Sequence, residues 1–467
     1  MKDTSSALSR RRFLQTAGLA GLAGGTLGLP LKGASTAPAA PSRTRARNLI
    51  FLVADGMCHG TLAAANHWLN LTADRDTAWM QLHREGKARA AFMETRSQSS
   101  LVTDSAAAAS SWGCGRRVPN RRLNVDENDR ALTPLYTYGK KAGKRLGLVT
   151  TATITHATPA GFAVNEIHRD HQPAIAEQYL ERGVDLLLGG GIEYFDPAHR
   201  EDGRDVFARY EAAAYTICRT REELLRAPRG RPLLGTFSKG HVPYAIDRQN
   251  DAALGARTPS LEDMTAVALA SLASAPEGFL LQIEAGRVDH AAHANDTGAL
   301  LQEMLEFDRC VALVNRFAAE HPDTLVIVTS DHGTGGFMVN GEGPDYSLSE
   351  TAFRRVGEAR RSYEALAEHP GQAELSAAEA AQFLGLPMTD AVLAALESVL
   401  PTWEGNGKLL GKTLREPLAS AYACSWTTLN HSGELVPFAS YGPGSGVFEG
   451  FFENWEVHHH LRKALGI

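Results

Sequence analysis

The stretch FLLQIEAGRVDHAAH, residues 279–293, holds the key to the fold. Its opening run, Phe279–Ile283, is short and apolar, the pattern of a strand buried on both faces of a sheet. Polar residues follow at once, beginning with Glu284. Asp289 and His293 then stand at i and i+4, so on a helix they share one face. A carboxylate oxygen and an imidazole nitrogen one turn apart are both good zinc ligands. His290 and His293 are also one turn apart, so spacing alone leaves either histidine as the ligand. A buried strand that ends in acids and histidines is what an open α/β sheet presents at its ligand-binding edge.

The same design recurs outward along the chain. Asn48–Ala54 (NLIFLVA), Leu146–Thr150, Val184–Leu188 and Thr324–Thr329 are short runs of the same kind. Helical stretches such as Pro173–Arg182 and Thr297–Glu320 alternate with them. This alternation predicts an α/β fold, a three-layer α/β/α sandwich with a large, mostly parallel central sheet. Residues 338–424 break the pattern. They are helix-rich, with Ser376–Leu384 and Thr389–Leu400 the clearest pieces, and read as an insertion over one end of the sheet. The first strand ends at Asp55, in ADGM, and the Thr324–Thr329 strand runs into Asp331 and His332, in SDHGTGG. One aspartate after a strand is usually a turn residue or a helix cap. Three strand ends loaded alike point to a common metal site.

Three further motifs carry chemistry. VTDSAAAAS, residues 102–110, sets a polar triplet before a strong helix former. Either Asp104 or Ser105 caps that helix. A serine there also sits among free backbone N–H groups, which suits an anion. In THATPAGFAVNEIHRD, His156 and Thr158 precede Pro159, a good first helical residue, which makes Thr158 a cap candidate. Arg169, eleven residues after Thr158, can grip a phosphate with two parallel bonds. Asn430-His431-Ser432-Gly433 sets another histidine in a loop.

Composition narrows the classes. The chain has 467 residues, 43% of them hydrophobic, and a net charge of −6, which argues against a nucleic-acid partner. No window past residue 40 reads as a membrane span. The five cysteines are far apart and form no CxxC pair, which disfavours a cysteine zinc site. An odd count leaves at least one thiol free in a monomer. SRRRFL at residues 9–14, an apolar segment to about Leu31 and Ala37-Pro38-Ala39 read as a signal peptide over residues 1–40. Its twin arginines resemble a Tat signal, so the expectation is export to the periplasm or beyond through the Tat machinery.

Taken in order, ADGM, TDSAAAAS, HATPAG with its following arginine, E-x4-D-x3-H, SDH and NHSGE resemble the alkaline phosphatase family. The resemblance covers nearly all of residues 45–467. It implies a phosphoric monoester hydrolase working through a phosphoserine intermediate, with two Zn2+ and one Mg2+ per chain. It implies Ser105 as nucleophile and Arg169 as the phosphate clamp. One zinc falls to Asp289, His293 and His431, the other to Asp55, Asp331 and His332. The magnesium falls to Asp55, Thr158 and Glu284. His156 and His290 match the vertebrate type rather than the best-known bacterial one. Ala54 and Cys58 depart from the glycines that commonly flank D-G-M. The family is commonly dimeric. Its substrates are small phosphate monoesters. The nearest alternatives are a superfamily phosphodiesterase and a phosphatase devoted to one metabolite. A non-catalytic binder of metal or phosphate fits poorly with a complete ligand set. A sulfatase is disfavoured because Ala-Ala follows Ser105, and a Ser/His/Asp esterase because no G-x-S-x-G elbow occurs.

Overall fold

The computed structural model describes residues 45–467. The segment read as a signal peptide lies outside the described residues. NLIFLVA forms strand β1 (Asn48–Ala54), with all seven residues buried. Its side chains alternate between two separate cores. Leu49, Phe51 and Val53 pack with Trp112 and Phe162 on one side. Ile50 and Leu52 pack with Met304 and Phe307 on the other. A strand apolar on both faces needs a helical layer on each, which gives the three layers.

Among the described residues the sheet has ten strands. In chain order the others are β2 (Arg89–Glu94), β3 (Arg145–Thr153), β4 (Leu186–Gly190), β5 (Thr216–Cys218) and β6 (Leu233–Thr236), then β7 (Phe279–Ala285), β8 (Thr324–Thr329), β9 (Val436–Tyr441) and β10 (Gly450–Glu453). Across the sheet they run β10-β2-β9-β8-β1-β7-β3-β4-β6-β5. Only β9 is antiparallel to its neighbours, β8 and β2. The four adjacent strands β8, β1, β7 and β3 are mutually parallel, so their carboxyl ends lie side by side. Because β9 runs the opposite way, its amino end lies at that same edge. The loop carrying His431 therefore arrives there too.

Some boundaries differ from those the apolar pattern predicts. β3 extends through Thr150–Thr153, whose threonines are buried but not apolar. β4 begins at Leu186 rather than Val184, because the Asp185 carboxylate accepts a hydrogen bond from Leu146 N, 2.9 Å. The 338–424 segment opens at Met338–Val339 and closes at Cys424–Ser425, two short strands paired antiparallel to each other. Between them lie helices, whose buried Leu384, Leu396 and Leu410 join the Met304–Phe307 core. All five cysteines are free thiols.

Candidate active site

The site is built at the shared edge of β8, β1, β7 and β3. Asp55 follows β1 directly, and Gly56 turns the chain with φ +69°. A Cβ on Gly56 would stand 2.6 Å from Asp289 Oδ1, so only glycine suits both the backbone and the close approach. Gly56 N donates to Asp331 Oδ1, 3.0 Å, and Met57 N to Ser330 Oγ, 3.0 Å. Cys58 leaves this turn intact. Its thiol donates to Thr334 O, 3.1 Å, and burial pushes its pKa up to about 12.

Ser105 opens helix α1 (Ser105–Cys114), which is buried at nine of its ten residues. The cap is Asp104, whose carboxylate accepts from Ala107 N, 3.0 Å, so Ser105 is the first helical residue rather than the cap. The alanine run has a packing reason as well as a propensity. α1 lies tightly on helix α2 (Ala157–Ala163), where a Cβ on Gly161 would come within 2.5 Å of Ala109 Cβ. Thr158 is not a cap either. His156 precedes the helix, and the Thr158 hydroxyl donates to Asp55 Oδ2, 3.2 Å. Freed from capping, the Ser105 Oγ lies 3.2 Å from His332 Nε2, buried among the strand-end residues.

Three groups of ligand atoms converge here, each able to hold a metal ion: Asp289, His293 and His431; Asp55, Asp289 and His332; Asp55, His156 and Glu284. Helix α3 (Arg287–His293) carries Asp289 and both of its histidines. His293 Nδ1 donates to Leu429 O, 2.5 Å, and His431 Nδ1 to Thr103 O, 2.8 Å. Each ring therefore keeps its Nε2 lone pair free. Those two nitrogens face each other at 3.1 Å, with Asp289 oxygens 3.5 and 3.6 Å away. Two lone pairs and a carboxylate repel unless a cation sits among them. His290 belongs elsewhere. It accepts from Arg287 Nη1 at Nδ1, 3.0 Å, and its ring lies 4.3 Å from that of His241.

The carboxylates make the same demand. Asp55 Oδ1, Asp331 Oδ2 and Glu284 Oε2 are buried without a hydrogen-bond partner. Burial, reinforced by the charges of Asp331, Asp289 and Glu284, raises the Asp55 pKa well above the carboxylate range. Burial also lifts Asp331 to about 7. Burial resists ionisation of Asp289; in the protein alone, positive charge on His293, His431 and His332 outweighs it and holds its pKa well below normal, the part a cation plays when the rings are neutral ligands. Buried acids this close need a proton or a metal to neutralise them. The orphaned oxygens and the free imidazole nitrogens fit a set of metal ions.

Arg169 lies at the rim. Its Nη1 donates to Asp104 Oδ2, 3.1 Å, and its Nη2 to His156 Nε2, 3.0 Å. One aspartate thus caps the serine helix and anchors the guanidinium. His156 passes the connection inward, donating from Nδ1 to Glu284 Oε1, 3.2 Å. The sequence reading missed His241, Thr334 and Asp104 as parts of the site. Thr334 donates to Asp289 Oδ1, 2.6 Å, and sits two residues past the SDH motif that could have marked it. His241 follows β6 with no motif around it.

A parallel sheet whose strand ends converge metal-ligating acids and histidines on a buried serine defines a metal-dependent hydrolase. The alkaline phosphatase family model matches residues 46–467, and the chain belongs to that family. Alkaline phosphatase 4 of Bacillus subtilis is 30% identical over 370 residues, covering 78% of this chain and 77% of that protein. The streptomycin-6-phosphate phosphatase of Streptomyces griseus is 33% identical over 383 residues, covering 72% of this chain and 85% of the relative. The crystal structure of Thermus thermophilus alkaline phosphatase superposes with a TM-score of 0.82 at 36% identity, covering 91% and 93% of the two chains. The protein is a phosphoric monoester hydrolase with a metal-binding site.

Proposed function

We propose that this protein is an exported alkaline phosphatase that hydrolyses phosphate monoesters through a phosphoserine at Ser105. One observation carries the reading: the Ser105 hydroxyl, released from capping by Asp104, stands 3.2 Å from His332 among the three metal-ligating clusters. Asp289, His293 and His431 would hold one zinc, and Asp55, Asp331 and His332 the other. Asp55, Thr158 and Glu284 would hold magnesium. Bound there, the ions supply Lewis acidity, which makes a serine hydroxyl nucleophilic near neutrality and steadies the charge on phosphate oxygens.

The chain's own residues do the rest. Ser105 Oγ attacks phosphorus, and its bond to phosphorus forms as the ester P–O bond breaks. The alcohol leaves with a proton. Water then cleaves the phosphoserine, giving inorganic phosphate and the free serine. Arg169, held by Asp104, grips two equatorial oxygens, and the open amides of the α1 amino end add donors. The distances within each His–carbonyl pair fix the tautomers that leave Nε2 available.

The residues 1–40 support export through the Tat route. Replacing Arg10 and Arg11 together by lysine is expected to hold the protein in the cytoplasm, read by cell fractionation. The mature unit would be residues 45–467, with 338–424 as an insertion, and would pair as a homodimer. Metal analysis of the exported protein tests the site, together with 4-nitrophenyl phosphate turnover before and after EDTA. About two zincs and one magnesium per chain and chelator-sensitive turnover are expected. Faster turnover of bis(4-nitrophenyl) phosphate would favour a phosphodiesterase instead.

A further inference from the structure

Beside the metal-ligating clusters lies a cavity of about 450 Å³ that the steps above do not use. His290 and His293 line it, and the inserted segment contributes Glu364 and residues 405–408. Any group attached to a phosphate at Ser105 must leave the site on some side, and His293 borders both spaces.

The lining is rich in donors. His290 Nδ1 accepts from Arg287, and His241 Nδ1 accepts from Thr153 N, 3.1 Å. Both rings therefore offer Nε2–H as a donor. The Arg287 guanidinium is fixed on three sides. It stacks 3.6 Å over Tyr244, touches His290 and donates to Glu364 Oε1, 2.7 Å. Of the two carboxylates in the lining, Glu364 is thereby matched to Arg287, and Asp296 accepts from Ala299 N, 3.0 Å, and Tyr363 N, 2.8 Å. Lys408 has no carboxylate partner among the described residues. It lies in the first turn of helix α4 (Gly407–Tyr422), whose cap Asn406 accepts from Leu409 N, 3.1 Å. The Gly407 and Lys408 amides have no acceptor within the helix. The residues that carry a free ammonium, open helix amides and two imidazole N–H groups thus line one cavity.

We propose that this cavity is the subsite for the alcohol portion of the substrate. It selects monoesters whose alcohol carries a second anionic group, a carboxylate or a further phosphate. Lys408 and the α4 amino end are the selecting elements. The inference rests on the placement of the reacting phosphate at Ser105.

A matched three-carbon series tests it: 3-phosphooxypropanoate, propane-1,3-diol bisphosphate, 3-hydroxypropyl phosphate and 3-aminopropyl phosphate. The purified metal-loaded enzyme is expected to show kcat/KM in the order anionic, neutral, cationic, with the difference mainly in KM. The carboxylate and bisphosphate arms show which anion it prefers. Lys408→Gln should cut the anionic-to-neutral ratio by roughly fivefold, the size of one exposed charge contact with a helix terminus. Lys408→Glu should reverse the order in favour of the amine. Ratios are read, so a general loss of active enzyme cancels. Turnover with ratios near one in the wild type, or unmoved in Lys408→Glu, overturns the subsite alone. No turnover of any ester overturns the subsite together with the placement of phosphate at Ser105.

Discussion

Two helices of this protein begin with nearly the same letters. At one, Asp104-Ser105-Ala106-Ala107 opens α1. At the other, Leu375-Ser376-Ala377-Ala378 opens Ala377–Leu384 in the inserted segment. Their serines do different work. Ser376 is the cap. Its hydroxyl accepts from Glu379 N, 3.3 Å, and the Glu379 carboxylate accepts from Ser376 N, 2.9 Å, a closed capping box. At α1 the residue before the serine takes the capping role, so the Ser105 hydroxyl is left without that duty. A single upstream aspartate separates a serine that stabilises a helix from one available for chemistry. The lesson is that a serine ahead of alanines carries no function until its neighbour's hydrogen bonds are known.

The largest expected effect breaks the comparison at its functional end. Ser105→Ala should lower kcat by on the order of 10⁴-fold or more, while the fold and metal content persist. Phosphoenzyme trapped at acidic pH with labelled phosphate should vanish. Label still attached in the variant would remove Ser105 as nucleophile.

Next come the two histidines one turn apart on α3. His293→Ala should lose one zinc per chain and nearly all activity, because its Nε2 faces His431 and Asp289. His290→Ala should keep that zinc and change phosphate affinity or the pH optimum, because its ring faces His241 and Arg287. Zinc per chain after dialysis against a mild chelator decides the matter. The reverse pattern would exchange their roles. Arg169→Ala follows, with kcat/KM down by roughly 30- to 1000-fold, the worth of a charge-assisted bidentate contact. Unchanged inhibition by inorganic phosphate would take Arg169 out of the site.

How far the sequence spoke depended on burial. β1 and β8 were legible to the residue because each has an unbroken apolar run, Leu49–Ala54 and Leu325–Val328, and is buried on both faces. β2 was not, because Arg89, Ala90 and Phe92 are exposed near the sheet edge and blur the pattern. β9 hid behind Pro437, which reads as an edge residue or a breaker. Pro437 is tolerated because the ladder to β8 starts one residue later, at Phe438. The convergence of acids and histidines was legible because ligand chemistry limits residue type and the strand ends fix their place. The anchoring of Arg169 by Asp104 and the places of His241 and Thr334 were not, because they lie in contacts with residues far away in sequence. Arg169 is 65 positions from Asp104.

The smallest effect sharpens the comparison at its structural end. Ser376→Ala removes the cap hydroxyl of a surface helix and leaves Glu379 N without its acceptor. An N-cap serine is worth about 1 kcal/mol, so the variant should unfold a few degrees lower. The helix is eight residues long, with Ala380, Ala381 and Leu384 holding it to the core, so fraying should stay within its first turn. Nothing in that turn lines the Lys408 cavity or reaches the strand ends, so kcat and KM for 4-nitrophenyl phosphate should stay at wild-type values. Thermal unfolding beside steady-state kinetics reads both halves of the expectation. A fall in kcat of the Ser105→Ala kind would mean that the two serines are not divided by their caps. It would tie the inserted segment directly to the chemistry.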